Sequence, residues 1–89
     1  DQSNLRIKTG SLNEVISEAI QLREPPSRKG KRLKVYYGSQ VGIKPPNFVF
    51  FVNDPNLMHF SYQRYLENVL REAFGYVGNP MHFKLKQRN

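Results

Sequence analysis

Asn47-Phe48-Val49-Phe50-Phe51-Val52 is almost wholly apolar, and its reading decides the fold. A run this short, rich in aromatic and β-branched residues, suits a strand covered on both faces. Immediately upstream, Gly42-Ile43-Lys44-Pro45-Pro46-Asn47 is a turn or stiff loop. Before that, Leu33-Lys34-Val35-Tyr36-Tyr37 alternates and is rich in strand formers, and Gly38 to Gly42 can extend it. The two runs predict a hairpin. Downstream, Asn53-Asp54-Pro55 resembles a helix start, with Asp54 able to cap and Pro55 suited to the first helical position. A short turn through Met58 follows.

Outside this centre the helical period takes over. Leu12, Val15, Ile16, Ala19 and Ile20 share one face of a helix expected over Leu12 to Leu22. Ser11 and Glu14 have capping-box spacing at its start, and Pro25-Pro26 forbids its continuation. A second, longer helix is expected after Ser61 as cap, with Tyr62, Tyr65, Leu66, Val69, Leu70 and Ala73 as its stripe and Gly75 as a left-handed end. Past Gly78-Asn79-Pro80, Met81 to Lys86 alternates as a last strand: Met81, Phe83 and Leu85 one way, His82, Lys84 and Lys86 the other. Each helix has one apolar stripe to bury against the sheet. The expected fold is a two-layer α+β domain, a three-stranded sheet with helices on one face. Val35, Tyr37, Leu66, Leu70 and Phe83 are expected among the buried residues. Residues 1–10 read as a tail from a preceding element, and 11–89 as the domain.

The formal net charge is +7 over 89 residues. A basic excess of this size attracts polyanions. Membrane binding wants a basic amphipathic helix, whereas both helices carry mixed charge, so nucleic acid ranks first. There is no cysteine, hence no disulfide and no thiolate metal site. No apolar h-region and no apolar stretch approaching ~20 residues is present, so neither a signal peptide nor a membrane span is expected.

Nothing in the chain spells catalysis. The phosphate-cradling G-x-x-x-x-G-K-[ST] is absent. His59 and His82 are isolated, Glu14 and Glu18 lie off the apolar stripe, and no nucleophile motif surrounds Ser61. No catalytic residue, metal or cofactor is expected. The basic loop Arg28, Lys29, Lys31, Arg32, with Lys34 following, is the leading candidate for phosphate contact, the alternative being a bare charged connector. His82, Lys84 and Lys86, joined by Lys34 and Tyr36, form a second basic face with an interleaved aromatic. Alternation forces either Phe51 or the pair Phe48 and Phe50 away from the helices. An outward phenylalanine suggests an interface or a base-stacking platform. Tyr36, Phe48, Phe50 and Phe51 are therefore candidate docking residues. Gly75-Tyr76-Val77-Gly78 spells G-x-x-G but reads as a helix end and turn.

The chain as a whole resembles the C-terminal KH-like domain of the EngA (Der) family of bacterial ribosome-assembly GTPases. The resemblance is carried by Ser11-Leu12-Asn13, Lys29 through Tyr37, Lys44-Pro45-Pro46-Asn47-Phe48-Val49 and Phe51-Val52-Asn53-Asp54-Pro55. It continues through His59-Phe60-Ser61-Tyr62, Arg64 through Asn68 and Leu70 through Gly75. It implies a type II KH order, α-β-β-short α-α-β, and a cytoplasmic partner of the large (50S) ribosomal subunit and its RNA. It implies GTP sites in upstream domains, with this part non-catalytic and, alone, a monomer. KH domains carry G-x-x-G between the short and long helices; here Met58-His59-Phe60-Ser61 stands there, so no KH binding residue transfers. Two functions compete: an RNA-binding accessory domain, and an interaction module that docks on the adjacent GTPase domains and relays their nucleotide state.

Overall fold

The computed structural model describes residues 6–43, 45–75 and 80–88. Most of the G-x-x-G segment, Lys44 of the Gly42–Asn47 turn and residues 1–5 of the tail lie outside them. In chain order the elements are α1 (Thr9–Leu22), β1 (Ser27–Arg28), β2 (Lys31–Arg32), β3 (Val35–Ile43), β4 (Pro46–Val52), a 3₁₀ turn (Pro55–Leu57), α2 (Phe60–Phe74) and β5 (His82–Gln87).

The apolar run forms the middle strand, covered by helices on one face and not on both as its composition suggested. The sheet order is β3-β4-β5, with β3–β4 antiparallel and β4–β5 parallel across the 3₁₀ turn and α2. Pro46, Phe48, Phe50 and Val52 are buried, while Asn47, Val49 and Phe51 are half-buried. The inner residues join Leu12, Ile16 and Ala19 of α1 and Tyr62, Leu66 and Leu70 of α2 in one core, with Phe83 and Leu85 packed against it. Both helices therefore cover one face. Gly38 lets α1 approach β3 closely: a Cβ there would stand 2.6 Å from Ile16 Cδ1.

Several local expectations need correction. Helix α1 starts at Thr9, so Ser11 lies inside it and the capping box is not formed; the N-cap is Lys8, with no side-chain cap. Tertiary pinning overrides the cap, because Ile7 N–H donates to Gln40 Oε1 at 2.8 Å and sets where the chain enters the helix. Helix α2 begins at Phe60, capped by His59, whose Nδ1 accepts from Ser61 N–H at 3.2 Å. Gly75 is extended (φ −81°), not left-handed. Its lack of a side chain serves close packing instead, since a Cβ would meet Arg71 O at 2.6 Å. Ala73 is exposed. The 3₁₀ turn matches its reading: Asp54 accepts from Asn56 N–H at 3.0 Å and Pro55 opens the turn.

Leu66 and Leu70 are buried as expected; Val35, Tyr37 and Phe83 are half-buried. The reason for Tyr37 is a bulge between Val35 and Tyr37. It shifts the alternation by one residue, so Tyr37, not Tyr36, shares the outer face with its cross-strand partner Phe51.

Candidate nucleic-acid interface

The basic segment expected as a loop is a paired hairpin. Ser27 faces Arg32 and Arg28 faces Lys31. Lys29 (φ 53°) and Gly30 (φ 78°) close it. Two positive φ angles in a two-residue connection are the mark of a type I′ turn. Its base is bolted to the sheet by Asn53, which donates Nδ2–H to Arg32 O (3.2 Å) and accepts from Lys34 N–H at Oδ1 (2.8 Å). Asn53 N–H also donates to Lys34 O at 3.0 Å. Arg32 pairs with Glu24 at 3.3 Å on the surface, which removes part of its charge from any ligand. Arg28, Lys29 and Lys31 form no ion pair among the described residues. With Asp54, Asn56 and Leu57 they line an open cleft of about 430 Å³.

The helix-free face of the sheet is the second basic surface. His82, Lys84 and Lys86 of β5 are exposed and stand opposite Asn47, Val49 and Phe51 of β4. Phe51 stacks on Tyr37, centroids 4.6 Å apart. Arg88 spans the three strands: its guanidinium carbon lies 5.2 Å from the centre of the Tyr37 ring, and Nη1 donates to Tyr37 Oη at 2.7 Å. Arg88 was missed in the sequence, although it continues the alternation of His82, Lys84 and Lys86.

The structure separates the expected docking set. Phe48 and Phe50 are 1% and 0% exposed in the core, so neither is available for docking. Phe51 stays on the open face. Tyr36, 49% exposed at the bulge, lines a groove beside α1 with Asn13, Ser17 and Ile20. Lys34 precedes β3 and sits at the hairpin junction rather than on the outer face. Hairpin and face meet at one end of the sheet, because Asn53 follows Val52 and Arg88 N–H donates to Val52 O at 2.8 Å. His82 lies about 13 Å from Lys86 along the strand, toward the other end.

Two further polar arrangements are structural. Tyr62 and Tyr65 of α2 donate to Arg23 O (2.7 Å) and Ala19 O (2.6 Å), closing the C-terminal end of α1. Burial, with Tyr65 beside it, pushes the Tyr62 phenol up to about 12. His59 Nδ1 lies 2.9 Å from Ser61 Oγ, within the cap it already forms. Among the described residues no cluster of three or more His, Cys, Asp or Glu could hold a metal, and no helix is long and apolar enough to cross a membrane.

The order of elements, the mixed three-stranded sheet and the helices on one side define a small KH-like α+β domain. The chain belongs to the family described as KH-domain-like of EngA bacterial GTPase enzymes, C-terminal, whose model matches residues 6–86. It is 68% identical over 88 residues to GTPase Der of Halothermothrix orenii, covering 99% of this chain and 20% of that protein. It is 58% identical over 88 residues to GTPase Der of Ruminiclostridium cellulolyticum, with the same coverage, 99% and 20%. With GTPase Der of Alkaliphilus metalliredigens it shares 56% identity over 89 residues, 100% of this chain and 20% of that one. The chain thus spans about one fifth of the length of the curated relatives it matches.

Proposed function

We propose that this domain is a non-catalytic RNA-binding module that seats a GTPase on ribosomal RNA of the large subunit during its assembly, in the cytoplasm. The observation that carries the reading is the placement of charge. His82, Lys84, Lys86 and Arg88 project from one face of the sheet, and the cationic hairpin stands at the end of that same sheet. Long cations on a rigid frame neutralise phosphates without reading sequence. GTP hydrolysis belongs to the domains that precede this one in its relatives.

Titrating the domain with deproteinised large-subunit ribosomal RNA at two or more salt concentrations tests this. The log–log slope should be about −0.7 to −0.9 per phosphate neutralised, and several phosphates should be counted. No binding at low salt would sink the reading, as would saturable GTP binding by this chain alone.

A second reading rests on a different observation. Val49, Phe51 and Tyr37 leave a half-buried apolar strip on the helix-free face, ringed by Lys84, Lys86 and Arg88 in the manner of an interface core and rim. In this reading the face docks on the adjacent GTPase domains and relays their nucleotide state. Backbone amides of β3 and β5 would then gain exchange protection when those domains are attached.

A further inference from the structure

Two local rules are broken within four residues of the β1–β2 hairpin. The first central position of a type I′ turn favours Asn, Asp or Gly, because a Cβ is crowded at positive φ. Lys29 occupies it at φ 53°, and it is the one non-glycine residue at positive φ among the described residues. Directly behind it, Arg28 and Lys31 are cross-strand partners, and like charges in opposed positions repel. No carboxylate within the described residues pairs with any of the three. The one acidic residue in their cleft, Asp54, holds the 3₁₀ turn through Oδ1 and makes no ion pair with them. The hairpin is also held by Asn53 at its base, so the backbone positions of the three cations keep their spacing. Strain and repulsion concentrated in one place, with no offsetting contact inside the chain, point to a partner outside it.

We infer that Arg28, Lys29 and Lys31 form a phosphate-gripping cleft for the RNA backbone, with Lys29 as its leading contact. This rests on the RNA reading above. Cross-strand partners project from the same face of a ladder, so Arg28 and Lys31 flank one side while Lys29 stands at the tip. Asn56 and Leu57 of the 3₁₀ turn also line the cleft.

Lys29→Asn separates charge from turn chemistry, because Asn suits the turn and lacks the charge. The variant should melt about 4–8 °C higher, the range expected when left-handed strain is relieved in a domain this small. Its affinity for deproteinised large-subunit ribosomal RNA at 0.1 M salt should fall about three- to tenfold, with the salt slope reduced by about 0.7–0.9. Lys29→Arg, which keeps both charge and strain, should bind within about twofold of wild type. Lys8→Asn, which removes the same charge at the far end of α1, should also bind within about twofold. Unchanged affinity and slope in Lys29→Asn, while the wild type binds, would overturn the cleft and leave the RNA reading on the sheet face. An equal loss in Lys8→Asn would overturn it as a net-charge effect, and a lower melting temperature in Lys29→Asn would overturn the strain argument. Absence of binding by the wild type at low salt would remove the RNA reading and this inference together.

Discussion

Asn13 sits inside α1, where a short polar side chain ordinarily faces water or weakens the helix. Here its carboxamide acts as a fragment of strand. Oδ1 accepts from Gly38 N–H at 2.7 Å, Nδ2 donates to Gly38 O at 3.0 Å, and Nδ2 also reaches Thr9 O at 2.9 Å. It thereby satisfies both backbone groups of Gly38 on the free edge of β3. Asn13→Ala would strand a partly buried donor and acceptor, so we expect a loss of about 2 kcal/mol in denaturant unfolding. A loss below about 0.5 kcal/mol would show that water replaces the carboxamide freely. Tyr62 gives a pH-dependent counterpart. Its folded value, about 12, lies above the unfolded value near 10. The stabilisation is therefore complete below pH 10 and is lost as pH rises from there toward 12. Tyr62→Phe should be about 1 kcal/mol less stable at neutral pH, having left Arg23 O without its donor. It should also lose less stability than wild type between pH 10 and 12. None of this was legible in the sequence. Hydrophobic period locates Tyr62 on the inner stripe but is blind to a carbonyl 39 positions away. Asn13 reads as solvated surface until the strand it serves is in place.

Elements were more legible than their ends. The apolar run at 47–52 declared a strand because no polar alternation interrupts it, and the helical stripes declared which faces pack; that the strand is the middle one is set by the crossover to β5. Ends depend on side chains competing to cap. His59 won over Ser61 because its ring nitrogen reaches the Ser61 amide from two residues earlier. His59→Ala should cost about 1 kcal/mol, and His59→Asn should stay within about 0.5 kcal/mol of wild type, as measured by thermal or denaturant unfolding. Equal destabilisation by both would mean that the ring, not the cap, matters. The bulge at Val35/Tyr37 was likewise invisible. A single extra residue in a strand leaves no compositional trace, yet it exchanged Tyr36 for Tyr37 on the open face. The hairpin at Lys29-Gly30 did leave a trace, in a glycine flanked by charges, but two-residue strands are too short to show a period.

For the molecule as a whole, the sheet divides the labour. One face is closed by two helices; the other presents charge around an aromatic strip. Lys84 and Lys86 stand on the open face with no helix over them, so they report on RNA contact there independently of the hairpin. The double variant Lys84→Ala/Lys86→Ala should flatten the salt slope of RNA binding by about 1.4–1.8, two phosphates' share, with little change in stability. An unchanged slope would confine RNA contact to the hairpin end and favour protein docking on the face. The candidate residues were legible by charge and alternation, which is how His82, Lys84 and Lys86 were found. What sorted Phe51 from Phe48 and Phe50 was register, which only the partner strands fix.

The contact of Arg88 with Tyr37 has a consequence for observing this face. A proton in a hydrogen bond is deshielded, and Arg88 Nη1–H donates to Tyr37 Oη at 2.7 Å with the guanidinium 5.2 Å from the ring centre. That guanidinium proton should therefore resonate downfield of its usual position in solution. Any ligand or neighbouring domain that draws the guanidinium away would return it to its ordinary shift. The sheet face thus carries its own magnetic reporter, able to register occupancy in the native sequence without a label.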